Sequence, residues 1–431
     1  MKLKSNMESQ GDTTKRVPVS EVRTGMYIVS LDRSWIDTPF LFNRKLIKSS
    51  EEIELLKKHG IREVVIDTRR GADTDTAVEL PETSAPQPGP SEHADRPVVE
   101  IRHATADSVE FKFMVQEFDV ARRIHDEALA ATQSIFDGAG RGSPVNVAVA
   151  AKVVSDLSGT VLRSPEASLL LTQMRRFQGD LFAHSVNVCV LSLVVGAAEG
   201  FEGDNAILGL GALLHDLGET RLPRNLIRKQ DSYTESERQL VEQHPTLGFN
   251  AIQHIENIPE RARRIVIEHH ERADGSGYPA KLKGEQISLF SRIVAITDAY
   301  DTMLMGRNRL FLQPIEVLRQ IYLEAENGAF DRALIEKFIR ALGVYPIGSL
   351  VELNTGERGI VIAANRTDRL KPTLRIVAWP NGQEDPIGPV VSLAEFSAGS
   401  LDRRIVRVLD PGKERINIMA HLQIAAGDLV V

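Results

Sequence analysis

Two aspartates stand inside stretches that otherwise read as helix core. Asp216 follows Gly211-Ala-Leu-Leu-His215, and Asp298 follows Ile293-Val-Ala-Ile-Thr297. An ionised carboxylate cannot enter an apolar interior alone without a large free-energy cost. Any fold of this chain must therefore bring positive charge to both. Histidines recur in the same region. Asp180-Leu-Phe-Ala-His184 has the i,i+4 spacing that puts both side chains on one helix face. His215 adjoins Asp216, His244 opens His-Pro-Thr-Leu-Gly248, and His269-His270 precede Glu271-Arg272. Any one of these histidines, alone, reads as an ordinary core or surface residue. Together, two carboxylates and several imidazoles want a common partner, and a pair of divalent cations satisfies all of them. A mixed His/Asp set suits Fe, Mn or Zn better than Mg or Ca, which prefer all-oxygen shells.

The remaining composition narrows the surroundings of such a site. The formal charge of −7 supplies no global basic field to gather long nucleic acid. A small anionic substrate would have to meet a metal or local Arg and Lys. The single cysteine, Cys189, excludes a disulfide within the chain and argues against a cysteine zinc site. It lies in the apolar run Val186–Ala198 and reads as a small core residue. That run is too short to cross a bilayer and contains Asn187 and Ser192, so no membrane insertion is expected. The N-terminal residues show no apolar signal segment, and the expectation is a soluble cytoplasmic protein.

Periodicity divides the chain into four parts. Residues 17–70 read as a small α+β domain: strand-like Val17-Pro-Val-Ser-Glu-Val22 and Met26-Tyr-Ile-Val-Ser-Leu31, an amphipathic helix over Ser49–His59, a C-cap at Gly60, and a strand over Glu63–Asp67. Residues 71–106 are a Pro/Ser-rich linker with too little apolar surface to offset the entropy of ordering. Residues 108–342 are helical nearly throughout, and 108–160 read as one or two long helices ahead of the chemistry. A long helix of this kind suits pairing with a second copy of the chain. From Tyr345 the period changes to short strands with turns at Asn354-Thr-Gly356 and Pro380-Asn-Gly382, making 345–431 a β-rich extension.

From about Leu181 to Phe338 the motifs form a recognisable set. They are His184, His215-Asp216, His244-Pro-x-x-Gly248, and His269-His270-Glu-Arg-x-Asp-Gly-Ser-Gly-Tyr-Pro279. Ser291-Arg-Ile-Val-Ala-Ile296, Asp298-Ala-Tyr-Asp301 and Arg307 follow. This stretch resembles the HD-GYP domain, a subgroup of the HD phosphohydrolases, and Gly277-Tyr278-Pro279 is the name-giving triplet. The resemblance implies a mainly α fold: a helical HD-type metal-dependent hydrolase domain with a small N-terminal α+β domain of a regulatory kind and a short C-terminal β-rich extension. It implies hydrolysis of cyclic di-GMP to linear pGpG and/or GMP by a hydroxide bridging two metals, iron or manganese foremost. By position, the metal ligands would be His184, His215, Asp216, His244, His269, His270 and Asp298, with Asp216 bridging and with His215 and Asp216 at the catalytic centre. Asp180 stands where three-metal members carry a Glu, which keeps a third ion as an alternative. Arg307, Arg309, Tyr278, Gly277, Arg272 and Lys281 would line the substrate site.

Two positions depart from the family's pattern. Glu219 stands where His-Asp-x-Gly-Lys would place a cation, and Arg307-Asn-Arg-Leu310 replaces Arg-Pro-Tyr-Lys/Arg. A cation beside a phosphate contributes about 1.5–3 kcal/mol as a charge-assisted hydrogen bond. Glu219 is therefore a candidate modulator. Two further readings stay open: a weakened domain acting as a cyclic di-GMP receptor or scaffold, and a hydrolase of another cyclic dinucleotide. Asp274 and Asp301 read as structural, capping or turn groups rather than ligands.

Overall fold

The computed structural model describes residues 14–31, 45–47, 49–58, 60–72, 109–175, 181–201, 203–227, 229, 231–305, 312–365, 368–386, 388–394 and 403–425. It divides into two compact units, residues 1–101 and 102–431. Asp180, Arg307, Arg309, Leu310 and residues 73–106 of the expected linker lie outside the described residues.

In the first unit, β1 (Thr14–Pro18), β2 (Tyr27–Leu31), β3 (Lys45–Leu46) and β4 (Glu63–Asp67) form an antiparallel sheet in the order β1-β4-β2-β3, with α1 (Ser50–Lys58) between β3 and β4. The strand expected over Val17–Val22 ends at Pro18 and turns into a 3-10 segment, Val19–Glu21. Proline has no N–H to continue the ladder, so the break falls there. Gly60 closes the helix end at φ +69°, a conformation that favours glycine. Val17, Met26, Ile28, Leu56, Val64 and Ile66 are among the residues of its core.

The second unit is mainly helical. Its elements are α2 (Val109–Gly140), α3 (Val147–Arg163), α4 (Pro165–Arg175), α5 (Leu181–Ala198), α6 (Asn205–Leu214), α7 (Arg224–Ile227), α8 (Glu235–Val241), α9 (His244–Ile252), α10 (Glu260–Glu268), α11 (Leu289–Met305), α12 (Pro314–Glu326) and α13 (Arg332–Leu342). A second antiparallel sheet follows, built from β5 (Leu350–Leu353), β6 (Arg358–Ala363), β7 (Thr373–Ala378), β8 (Val390–Ser392) and β9 (Ile405–Leu409) in the order β8-β7-β6-β5-β9, and the chain ends in α14 (Pro411–Glu414) and α15 (Ile418–Ala425). The fold is thus mainly α, with strands at both ends of the described chain.

The 18-residue α5 is long and apolar enough to cross a membrane by length and composition, five residues longer than the run read from sequence. In this fold it is the central core helix. Every side chain from Ala183 to Gly196 is buried, against α2, α3, α4, α6, α11 and α13. A helix apolar on all faces belongs in such a position. One of its polar interruptions is paired across helices: Ser192 and Thr297 of α11 share a hydrogen bond of 2.9 Å.

Candidate metal centre

Five separated elements converge on one buried point. His184 sits in the first turn of α5, and His215 closes α6. Asp216 opens the 3-10 segment Leu217–Arg221. His244 begins α9 with Pro245 in its first turn, His269 closes α10 with His270 next, and Asp298 lies inside α11. Gly218 makes one junction: a side chain there would overlap the His244 carbonyl oxygen, so only glycine lets the 3-10 segment rest on the first turn of α9.

The side chains form two groups, Asp216–His244–His269–His270 and His184–His215–Asp298, and within each the potential ligand atoms lie within 4.8 Å of one another. Both carboxylates straddle the groups. Asp216 turns Oδ2 to Nε2 of His184 (3.6 Å) and of His215 (3.4 Å), and Oδ1 to Nε2 of His244 (3.3 Å) and of His269 (3.5 Å). Asp298 turns Oδ1 to Nε2 of His184 (3.1 Å) and Oδ2 to Nδ1 of His270 (3.7 Å). One carboxylate oxygen for each group is the pattern of a shared ligand.

The outer ring nitrogens fix which atom faces inward. Nδ1 of His215, His244 and His269 meets the carbonyls of Ala212 (2.7 Å), Val241 (2.8 Å) and Val266 (3.0 Å). A carbonyl only accepts, so each Nδ1 carries the proton and each Nε2 points inward as a lone pair. Nε2 of His244 and Nε2 of His269 then face one another at 3.1 Å. Among the described residues, Nε2 of His215, fully buried, has no hydrogen-bond partner. Opposed lone pairs and an orphaned buried nitrogen are what a cation between them would resolve. The donor set therefore fits two divalent metals.

The electrostatics agree. Burial would raise the Asp216 carboxyl pKa, but the imidazoles of His215, His244 and His269 outweigh it and hold it well below the usual carboxylate range. Asp298 is held down in the same way against burial, by His184 foremost and by His270. Burial lowers His215 to about 4, and burial with the neighbouring His269 takes His270 well below its ordinary value. Burial also pushes His244 down, yet the Asp216 carboxylate beside its Nε2, reinforced by Glu219, favours the protonated ring and shifts it upward on balance. Both carboxylates stay ionised, as ligands must be.

The loop after His270 forms one wall. The Tyr278 ring lies 4.8 Å from that of His270, tilted by 31°. A Cβ on Gly277 would overlap the backbone of His270 and Arg272, so the loop passes close behind the histidines. Arg272 is held in place by the fold. Its guanidinium stacks 4.8 Å over Phe330 and donates to the carbonyls of His269 (3.3 Å) and Glu271 (3.1 Å). Lys281 is exposed, in a left-handed conformation. Glu219 is 6% exposed.

Three supporting contacts were not read from the sequence. Asp301, expected to be structural, lies within α11, and its Oδ2 meets His184 Nδ1 at 2.8 Å. Its position three residues after Asp298 was the available signal. Glu271 accepts from the backbone N–H of Ala280 (2.6 Å) and Leu282 (2.9 Å). Glu268 accepts from Ser288 N–H (2.9 Å), the Ser291 hydroxyl (2.8 Å) and Arg264 (2.7 Å). These carboxylates pin the ends of the loop that carries Tyr278.

Comparison with known proteins agrees with this geometry. Residues 189–334 match the HD domain profile, and residues 14–150 match a domain of unknown function, DUF3391. The chain is 32% identical over 401 residues to the cyclic di-GMP phosphodiesterase PA4108 of Pseudomonas aeruginosa, covering 90% of this chain and 91% of that protein. It belongs to the HD-GYP family. Two other relatives share a shorter region. The cyclic di-GMP phosphodiesterase response regulator RpfG of Xanthomonas campestris is 33% identical over 32% of this chain and 37% of its own length. The 3'3'-cGAMP-specific phosphodiesterase 1 of Vibrio cholerae is 30% identical over 40% of this chain and 41% of its own length. The HD-GYP chain described here carries His184 just ahead of the HD match, on the helix that the match enters at Cys189.

Proposed function

We propose that this HD-GYP protein is a metal-dependent phosphodiesterase that hydrolyses cyclic di-GMP. The observation that carries the reading is the pair of buried carboxylates, Asp216 and Asp298, each dividing its two oxygens between two histidine groups. His184, His215, Asp216, His244, His269, His270 and Asp298 would hold two divalent metals, iron or manganese foremost. Bound cations would supply an acidified water and neutralise charge on phosphate. The chain's own residues hold those ligands in one tautomer, keep both carboxylates ionised, and set the Tyr278 ring beside the centre, where it is placed to face a base or ribose. A third ion at Asp180 and contacts from Arg307 and Arg309 belong to the same proposal, as does the partition into a regulatory 17–70, a linker 71–106, a catalytic 108–342 and an extension 345–431. Pairing of two copies through helices in 108–160 is also part of it. A cytoplasmic location belongs to the same proposal.

The test is purified full-length protein with Mn²⁺ or Fe²⁺ under reducing conditions, given cyclic di-GMP, 3'3'-cGAMP and a nucleotide monoester in parallel. Cyclic di-GMP is expected to give pGpG or GMP with the highest kcat/KM. No product above that of an Asp216→Ala control overturns the reading. Preference for 3'3'-cGAMP would instead favour the substrate of the Vibrio relative. A second reading, a slow domain acting as a receptor, draws on Glu219, a buried anion whose field reaches His244. Under it Glu219→Lys raises turnover; an unchanged rate counts against it.

A further inference from the structure

Four imidazoles of the centre have a hydrogen-bond partner on Nδ1. Three of these partners are backbone carbonyls, on His215, His244 and His269. The fourth, on His184, is the carboxylate of Asp301 at 2.8 Å. Asp301 is 1% exposed, and its second oxygen accepts from Asn187 Nδ2 at 3.1 Å. We propose that Asp301, braced by Asn187, is a positioning residue for the His184–His215–Asp298 metal position and not for the other. This rests on the two-cation reading above.

The argument is local geometry. Asn187 stands three residues after His184 on α5, and Asp301 three residues after Asp298 on α11. Each helix therefore presents one ligand and, one turn on, one supporting group to the same place. The support crosses over: the α11 carboxylate orients the α5 imidazole, and the α5 amide orients the α11 carboxylate. A charged acceptor makes a shorter and roughly twofold stronger hydrogen bond than a neutral carbonyl and raises the basicity of the ring it holds. It also leaves a negative charge one imidazole away from the cation. Among the described residues, no histidine of the Asp216–His244–His269–His270 group has such a carboxylate on its outer nitrogen.

Titration of the metal-stripped full-length chain with Mn²⁺, followed by calorimetry, tests this, with Co²⁺ absorption as a second reading of ligand geometry. The wild type is expected to bind two ions per chain. Asp301→Asn is expected to weaken one of them by about 10–100-fold and leave the other unchanged, because loss of an outer-shell partner typically has that effect. Asn187→Ala keeps the carboxylate and is expected to weaken the same ion by a smaller factor. A simple loss of packing would lower the melting temperature and weaken both ions alike, and that result overturns the proposal. So do two unchanged affinities. If Asp301→Asn does not fold, Asn187→Ala decides by the same criteria. Uptake of fewer than two ions by the wild type would overturn the two-cation reading itself, and the proposal with it.

Discussion

At the scale of single residues, Asp216 has the largest expected effect. Its two oxygens reach four imidazole nitrogens between 3.3 and 3.6 Å. Asp216→Asn keeps the shape and removes the charge. Metal content is expected to fall and kcat/KM to drop by at least roughly a hundredfold, more than an outer-shell substitution costs; metal analysis and a cyclic di-GMP assay on the same sample check it. His215 makes a prediction about pH. Its pKa is lowered from 6.5 to about 4 by burial, so the unfolded chain binds a proton that the folded chain refuses. Stability from this group is therefore complete above pH 6.5 and lost as pH falls toward 4, a contribution of about 3 kcal/mol if the histidine acted alone. His270 acts in the same direction, and the upward shift of His244 opposes both. Metal-free protein is expected to melt progressively lower between those pH values. A His215→Gln variant is expected to show a flatter dependence, and an identical profile would contradict the assignment.

At the scale of elements, legibility follows how much of the physics is local. α1 and the strand over Glu63–Asp67 were readable because their apolar pattern matches one period over several residues. The seven grouped side chains were readable because polar ligands in apolar helices stand out. What was not readable depends on contacts between elements. Pro18 ends a strand whose composition continues to Val22, and Asp301 and Glu271 look like any surface acid until the partner segment arrives. Arg272 likewise carries motif status in sequence, yet its stacking on Phe330 is a tertiary fact. Capping and close approach give element-scale predictions. Asn146 accepts from Val149 N–H at the start of α3, far in sequence from the ligands. Asn146→Ala is expected to cost about 1 kcal/mol in denaturant unfolding with metal content unchanged. Gly218→Ala is different in kind. The added methyl must push the 3-10 segment off α9, which carries His244. Overpacking of this sort costs about 1–3 kcal/mol, and here it is expected to lower metal affinity as well, read by the same Mn²⁺ titration.

At the scale of the molecule, the centre is where the helices of the second unit are tied together. α5, α6, α9, α10 and α11 each bring or adjoin a ligand, although those ligands are spread from residue 184 to residue 298. Without cations, the fold holds two ionised carboxylates and five imidazoles in a nearly dry space, with nitrogen lone pairs facing each other. Ions that bind only this folded arrangement must stabilise it by mass action. At a free concentration a hundred times the dissociation constant, one site contributes about 2.7 kcal/mol. For a chain of this size each kcal/mol moves the melting temperature by roughly 1 °C. Stripping the protein with a chelator is therefore expected to lower its melting temperature by roughly 3 °C or more, and Mn²⁺ is expected to restore it. The same treatment of Asp216→Asn is expected to give a much smaller shift, because its metal positions are already impaired. Equal shifts in both proteins would place the stabilising ion elsewhere than between Asp216 and the histidines.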